Sequence, residues 1–137
     1  MRAVVETPKW SFVKYRLDGG RFVRDFVSPL PTLFNYGFVV GERAPDGLPR
    51  DALVLGPRLR QGQEPNYAIA GYLKFIDRGK EDDKVVLSKN GKISSADRLK
   101  IHVFFVFYSI FKRLWYALGG VKPSSCVYLG IIANKLQ

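Results

Sequence analysis

Two acidic stretches carry most of what this chain could use for chemistry. The run Asp46-Gly47-Leu48-Pro49-Arg50-Asp51 sets two aspartates five residues apart around a glycine and a proline. The run Asp77-Arg78-Gly79-Lys80-Glu81-Asp82-Asp83-Lys84 gathers further carboxylates next to a lysine. The whole chain has only 12 Asp and Glu residues, so this clustering is informative. Carboxylate oxygens on loops are hard ligands that suit Mg²⁺, which takes one or two of them and keeps several waters. Lys14, Arg16 and Lys84 are cations able to hold the phosphate oxygens of a metal-bridged substrate. On composition alone, the commoner explanation of such loops is a solvated surface, since acidic side chains mostly face water.

The elements that must position these residues follow from composition and periodicity. At 137 residues the expectation is a single domain spanning 1–137. A hydrophobic fraction of 47% against 25% charged residues excludes a disordered chain. The net charge of +10 attracts phosphates, nucleic acid or anionic membranes. Cys126 stands alone, which rules out an intrachain disulfide and a thiolate metal cluster and fits a reducing, cytoplasmic setting; it is expected as a small buried residue. The N-terminus turns polar too early for a signal peptide. The most apolar run, 101–111, lies between Lys100 and Lys112 and is shorter than the ~20 residues of a membrane span. It is expected as a core helix without membrane contact, with His102 as a packing residue.

Strands are expected first. Residues 2–6, 11–17, 21–27, 37–40, 52–55, 67–75 and 84–87 are short runs rich in β-branched and aromatic residues. Asp18-Gly19-Gly20 joins the second and third of them as a hairpin turn. After Asn90-Gly91 the pattern changes. Ser94 and Asp97 have the spacing of a helix-capping pair, and Leu99, Val103, Val106, Phe107, Ile110 and Leu114 then recur at helical spacing. Aromatics from Phe104 to Tyr116 widen that apolar face, so it should be buried or meet another subunit. Gly119-Gly120 is the expected stop, with a short strand candidate at 127–129. Strands followed by one long helix give an α+β fold, a β-barrel or sheet with a helix packed on it.

Six segments in order resemble one family. They are Val4-Val5-Glu6-Thr7-Pro8, Val13-Lys14-Tyr15, Asn35-Tyr36-Gly37-Phe38, Asp46-Gly47-x-Pro49-x-Asp51, Leu73-Lys74-Phe75-Ile76-Asp77 and Glu81-Asp82-Asp83-Lys84. In order and approximate spacing they are similar to the family I soluble inorganic pyrophosphatases, and Tyr108 resembles that family's helix tyrosine. The resemblance implies a small closed OB-like barrel with helices outside, and homo-oligomers. It implies that Asp46, Asp51 and Asp82 form a metal triad, that Asp77 and Asp82 bind a further ion, and that Glu6 lies in the same cavity. It implies that Lys14, Tyr36, Lys84 and Tyr108 hold phosphate. Several Mg²⁺ ions, with Mn²⁺ as a substitute, would bridge pyrophosphate and a hydroxide.

The departures from the family fall on the same cavity. Leu48 stands where the family's loop has the aspartate regarded as its base. Arg16 and Arg78 stand where the family has glutamates, Ser109 replaces a lysine after the helix tyrosine, and Asp25 aligns with an arginine whose nearest counterpart is Arg24. Losing a general base costs about 10²–10⁴-fold in rate. A guanidinium about 6 Å from Mg²⁺ repels it by roughly 5 kcal/mol at an effective dielectric of about 20. Fewer ions than usual are therefore expected, with Asp51 or Asp77 left to take a proton and Tyr36 beside them. Arg16 and Arg78 would otherwise neutralise a polyanion directly. Three functions follow: a weak Mg²⁺-dependent pyrophosphatase, a non-catalytic phosphate or polyanion binder, and, ranked last, a nucleic-acid-binding OB-like protein using Trp10, Tyr67 and Tyr72.

Overall fold

The structure is a computed structural model that describes residues 1–45, 47–119 and 126–133. Its elements run β1 (Ala3–Thr7), β2 (Val13–Asp18), β3 (Arg21–Val27), β4 (Asn35–Arg43), β5 (Pro49–Val54), β6 (Ala68–Asp77), β7 (Lys80–Glu81), β8 (Lys84–Ser88), α1 (Ser95–Leu118) and β9 (Val127–Ala133). The main sheet has the order β1-β4-β5-β8-β6-β7, and β9 also pairs with β6. All ladders are antiparallel except that between β5 and β8. Strands β2 and β3 form a separate hairpin around Gly19 and Gly20, both at positive φ. The Thr7 hydroxyl docks it on β1 by accepting from the Tyr15 N–H at 2.9 Å.

The α+β fold is as expected, and the named strands leave the sheet open only between β1 and β6. The coil before β6 spans the gap. Ala3 N–H donates to Pro65 O at 3.0 Å, Val5 N–H to Gln63 O at 2.9 Å, and Gly62 N–H to Val5 O at 2.8 Å. Arg2 and Asn66 form an antiparallel bridge in the same register, and Pro65, which offers no N–H, lacks only the return bond to Ala3. On its other side β1 lies so close to β4 that a Cβ on Gly37 would stand 1.8 Å from Val4 O, and only glycine fits there.

Side-chain alternation divides the interior in two. Ala52, Val54, Val85 and Leu87 point to one core with Val5 and Val39. Leu53, Leu55 and Val86 point to the other, with Phe34, Phe75 and the helix residues Ile101, Phe104 and Phe105. Burying each of these rings contributes about 2–3 kcal/mol. Asp51 and Lys84 share the alternation of Leu53 and Val86, so they form the polar end of the helix-facing rows.

Helix α1 starts as expected, with Ser94 Oγ accepting from Asp97 N–H at 3.0 Å, and Gly119 caps its end. Its buried face is not the expected one. Ile101, Phe104, Phe105, Ser109 and Tyr116 are buried, whereas Leu99, Val103, Val106, Phe107, Ile110 and Leu114 face outward. The helix is apolar nearly all round, so periodicity alone does not choose the face, and the sheet takes the aromatic one. His102 is exposed, with its ring against Tyr128 at 5.5 Å. At 24 residues α1 is long and apolar enough to cross a membrane by length and composition, which the shorter run 101–111 did not suggest. Its packing of Phe104 and Phe105 on Phe34 is what makes it a core helix. Cys126 is buried as expected. Of the expected stop, Gly120 lies outside the described residues.

Candidate functional site

Two open clefts lie side by side at the polar end of the helix-facing core. One, of about 440 Å³, is lined by Glu6, Lys14, Arg16, Asp25, Tyr36 and Asp51. Its neighbour, of about 380 Å³, is lined by Asp51, Asp77, Arg78, Lys80, Glu81 and Asp82. Leu48, Pro49 and Asp51 line both. The exposed Leu48 thus stands on the lip between them.

Beneath the lip lies a buried charge cluster. Lys84 is 3% exposed, and its ammonium donates to Asp51 Oδ2 at 2.9 Å and to Asp82 Oδ2 at 3.0 Å. The Tyr36 hydroxyl donates to the same Asp51 oxygen at 2.7 Å. Burial alone would raise the Asp51 pKa, but the ammonium groups of Lys84 and Lys14 and these hydrogen bonds hold it below the usual carboxylate range. Asp82 goes the other way, raised by burial with help from Asp51 and Asp77, against the pull of Lys84. Burial opposes the charge on Lys84, yet Tyr36, Asp51 and Asp82 keep it protonated far above neutrality. Burial and Asp51 likewise hold the Tyr36 phenol neutral.

Lys14 reaches in from β2, its ammonium 4.7 Å from the Tyr36 ring centre and 5.8 Å from that of Tyr108. Arg16 lines the first cleft but pairs with Asp18 at 3.6 Å and Asp25 at 3.9 Å. Asp25 faces that cleft because of a bulge. Lys14 pairs with Phe26 and Tyr15 with Arg24, which leaves Asp25 as the extra residue between them. Arg78 adopts a positive φ of 53° and lays its guanidinium over the Tyr116 ring at 5.6 Å.

Asp77 is held from behind by α1. Lys112 Nζ reaches its Oδ2 at 3.4 Å, and the Tyr116 hydroxyl donates to its Oδ1. The residue reading did not single out this pair. A signal existed, since Tyr108, Lys112 and Tyr116 are spaced four apart on an apolar helix and therefore share one face. Ser109 is buried, and its hydroxyl donates to Val106 O at 2.9 Å.

Glu6 is buried on β1, and its Oε2 accepts from Leu17 N–H at 2.6 Å. Burial raises its pKa, against that hydrogen bond. A raised folded pKa gives stability that is present below the unfolded value and lost as pH rises through the folded one. Glu6→Gln keeps an acceptor for Leu17 and removes the titration. In chelator-treated protein, the Tm of Glu6→Gln should therefore gain on the native chain as pH rises from 4 to 7. A gap that stays constant with pH would contradict the burial effect.

Asp51 and Asp82 converge on one ammonium, and their oxygens are a partial hard donor set. Two carboxylates fit a single Mg²⁺ that keeps several waters. Among the described residues, no group of three His, Cys, Asp or Glu side chains is placed to hold a metal. Asp46, the third member of the expected triad, lies outside the described residues.

The family profile described as inorganic pyrophosphatase matches residues 3–123. The chain belongs to this family. It is 35% identical over 98 residues to the inorganic pyrophosphatase of Gluconobacter oxydans, covering 68% of this chain and 57% of that protein. It is 32% identical over 108 residues to that of Campylobacter jejuni, covering 74% of this chain and 63% of that protein. The chain thus spans little more than half the length of these curated relatives. The solved inorganic pyrophosphatase of Helicobacter pylori superposes with a TM-score of 0.79 at 27% identity, over 99% of this chain and 85% of that one. That of Thermus thermophilus gives 0.82 at 25% identity, over 99% and 83%. The mainly β fold with one helix is therefore the pyrophosphatase fold. The elements carrying Glu6, Lys14, Tyr36, Asp51, Asp77, Asp82, Lys84 and Tyr108 all lie within the part that matches the family.

Proposed function

We propose that this chain binds pyrophosphate or phosphate in the two clefts around Asp51 and hydrolyses pyrophosphate far more slowly than a chain with aspartate at position 48. The observation that carries this is the state of Asp51. With Leu48 on the lip, Asp51 is the carboxylate common to both clefts among the described residues, and it already accepts hydrogen bonds from Tyr36 and Lys84. A carboxylate held below its usual pKa is a weak base. Asp77 is likewise engaged, by Lys112 and Tyr116.

Asp51 and Asp82 would hold one Mg²⁺ or Mn²⁺, with Asp46 as the third ligand that the family resemblance implies; Glu6 lines the first cleft and Asp77 the second, outside that donor pair. The ion would polarise phosphoryl oxygens and acidify a bound water. The chain's own cations would do the rest. Lys14 lines the first cleft, and Arg78 and Lys80 line the second, where they would neutralise phosphate oxygens. Arg16, tied to two aspartates, shapes the rim and contributes less to binding. Tyr36 fixes Asp51, and Tyr108 supports Lys14 from the helix side.

The test is phosphate release from pyrophosphate by the purified protein with Mg²⁺ or Mn²⁺, together with calorimetric binding of pyrophosphate. Binding with little turnover is expected. Turnover at a full enzymatic rate would overturn the reading of Asp51.

The outer face of α1 supports a homo-oligomer of this chain. Leu99 and Leu114 are each 63% exposed and Ile110 51%, and a run of this kind on one helix face suits a covered interface. Leu114→Glu should lower the sedimentation mass without lowering secondary structure. An unchanged mass would remove α1 from the interface.

A further inference from the structure

A third cleft, of about 440 Å³, opens beside the first two, between β3 and α1. Lys14 lines it as well as the first cleft, and Arg78 lines it as well as the second. It is therefore a sideways continuation of the phosphate-binding region. Its character differs, because its walls are aromatic. Phe111 and Trp115 stack on each other at 6.4 Å with their planes 28° apart. Trp115 keeps 63% of its surface exposed, which leaves one indole face open to a ligand. Cations edge these rings. Lys112 lies 5.5 Å from the ring centres of both Tyr108 and Tyr116, and Arg78 lies over Tyr116. The carboxylate lining this cleft, Asp25, is already paired with Arg16 at 3.9 Å.

Pyrophosphate has no use for an aromatic wall. A ligand that uses both the cations and the wall carries phosphates at one end and a flat π-system at the other. We propose that this cleft is a nucleoside subsite and that the chain binds a nucleoside 5′-diphosphate, its phosphates toward Lys14 and Arg78 and its base stacked on Trp115. The proposal rests on the anion-binding reading given above. Cavities of this size hold small organic ligands. Stacking on an exposed ring tolerates any base, so the recognition is of the class and not of one nucleobase.

The full chain contains two tryptophans. In a Trp10→Phe background, Trp115 alone reports by fluorescence, while calorimetry gives affinities for ADP, pyrophosphate and adenosine. ADP should quench Trp115 and bind about tenfold tighter than pyrophosphate, with adenosine weaker than ADP. Trp115→Ala should bring ADP down to the affinity of pyrophosphate and leave pyrophosphate unchanged. Trp115→Phe should keep most of the ADP advantage. Equal affinities for ADP and pyrophosphate, unmoved by Trp115→Ala, would overturn the nucleoside subsite and leave the anion cleft standing. Binding of neither ligand would overturn both readings. An oligodeoxyadenylate that binds as tightly as ADP would replace the mononucleotide with single-stranded nucleic acid.

Discussion

Lys84→Met should lower the unfolding free energy at pH 7 by about 3–5 kcal/mol, the usual cost of breaking a buried ion pair by removing one partner. The ammonium is almost wholly buried and neutralises two carboxylates that have no other cation at hydrogen-bond distance among the described residues. Methionine fills similar volume but leaves Asp51 and Asp82 facing each other. The cost should depend on pH. In the native chain Asp51 has a lowered pKa, so its contribution is present above the unfolded value and lost as pH falls through the folded one. In the variant the same carboxylates are destabilised when charged and are relieved by protonation. The gap between the two chains, measured by urea unfolding in chelator, should therefore shrink between pH 7 and pH 4. Adding Asp51→Asn and Asp82→Asn to Lys84→Met should recover much of the loss at pH 7. A loss below about 1 kcal/mol would mean that water or a shifted backbone already shields the pair.

Leu48→Asp is the matching experiment on activity. Position 48 is 63% exposed on the lip between the clefts, so a carboxylate there is hydrated and should cost the fold little. It adds a proton acceptor that Lys84 and Tyr36 do not occupy, beside the carboxylates proposed to hold Mg²⁺. Phosphate release should rise by about 10²–10⁴-fold, the range for a positioned general base. The rise should require Mg²⁺ or Mn²⁺ and follow an acidic limb, increasing with pH as the new carboxylate ionises. Activity that stays flat in the variant would place the defect in metal binding instead of proton transfer.

Much of the fold was legible because it follows from local rules. The turn at Asp18-Gly19-Gly20 joins β2 to β3 where expected, and Ser94 caps α1. Strand β8 begins at Lys84, as the β-branched run indicated. What periodicity could not supply was choice among equivalents. The apolar series from Leu99 to Leu114 looked like a buried face and is the outer one, since Phe104 and Phe105 fit the sheet better. The two-residue β7 was read as loop, because two residues carry no pattern. At the site, Tyr36, Asp51, Asp82 and Lys84 were all named from the sequence and stand together. The hold of Lys112 and Tyr116 on Asp77 was not, because it crosses 35 and 39 residues of chain. Nor did the sequence tell Asp25 from Arg24, since a bulge decides which one faces inward.

The coil before β6 holds β1 in step. Residues on a ladder are locked to their partners, and one inserted residue would turn every later side chain to the wrong face. Met1 with Tyr67, Arg2 with Asn66, Ala3 with Pro65 and Val5 with Gln63 keep a single antiparallel register. The register changes only at Gly62, whose N–H also donates to Val5 O. An insertion between Gln63 and Tyr67 would therefore cost pairing with β1 as surely as one inside a named strand.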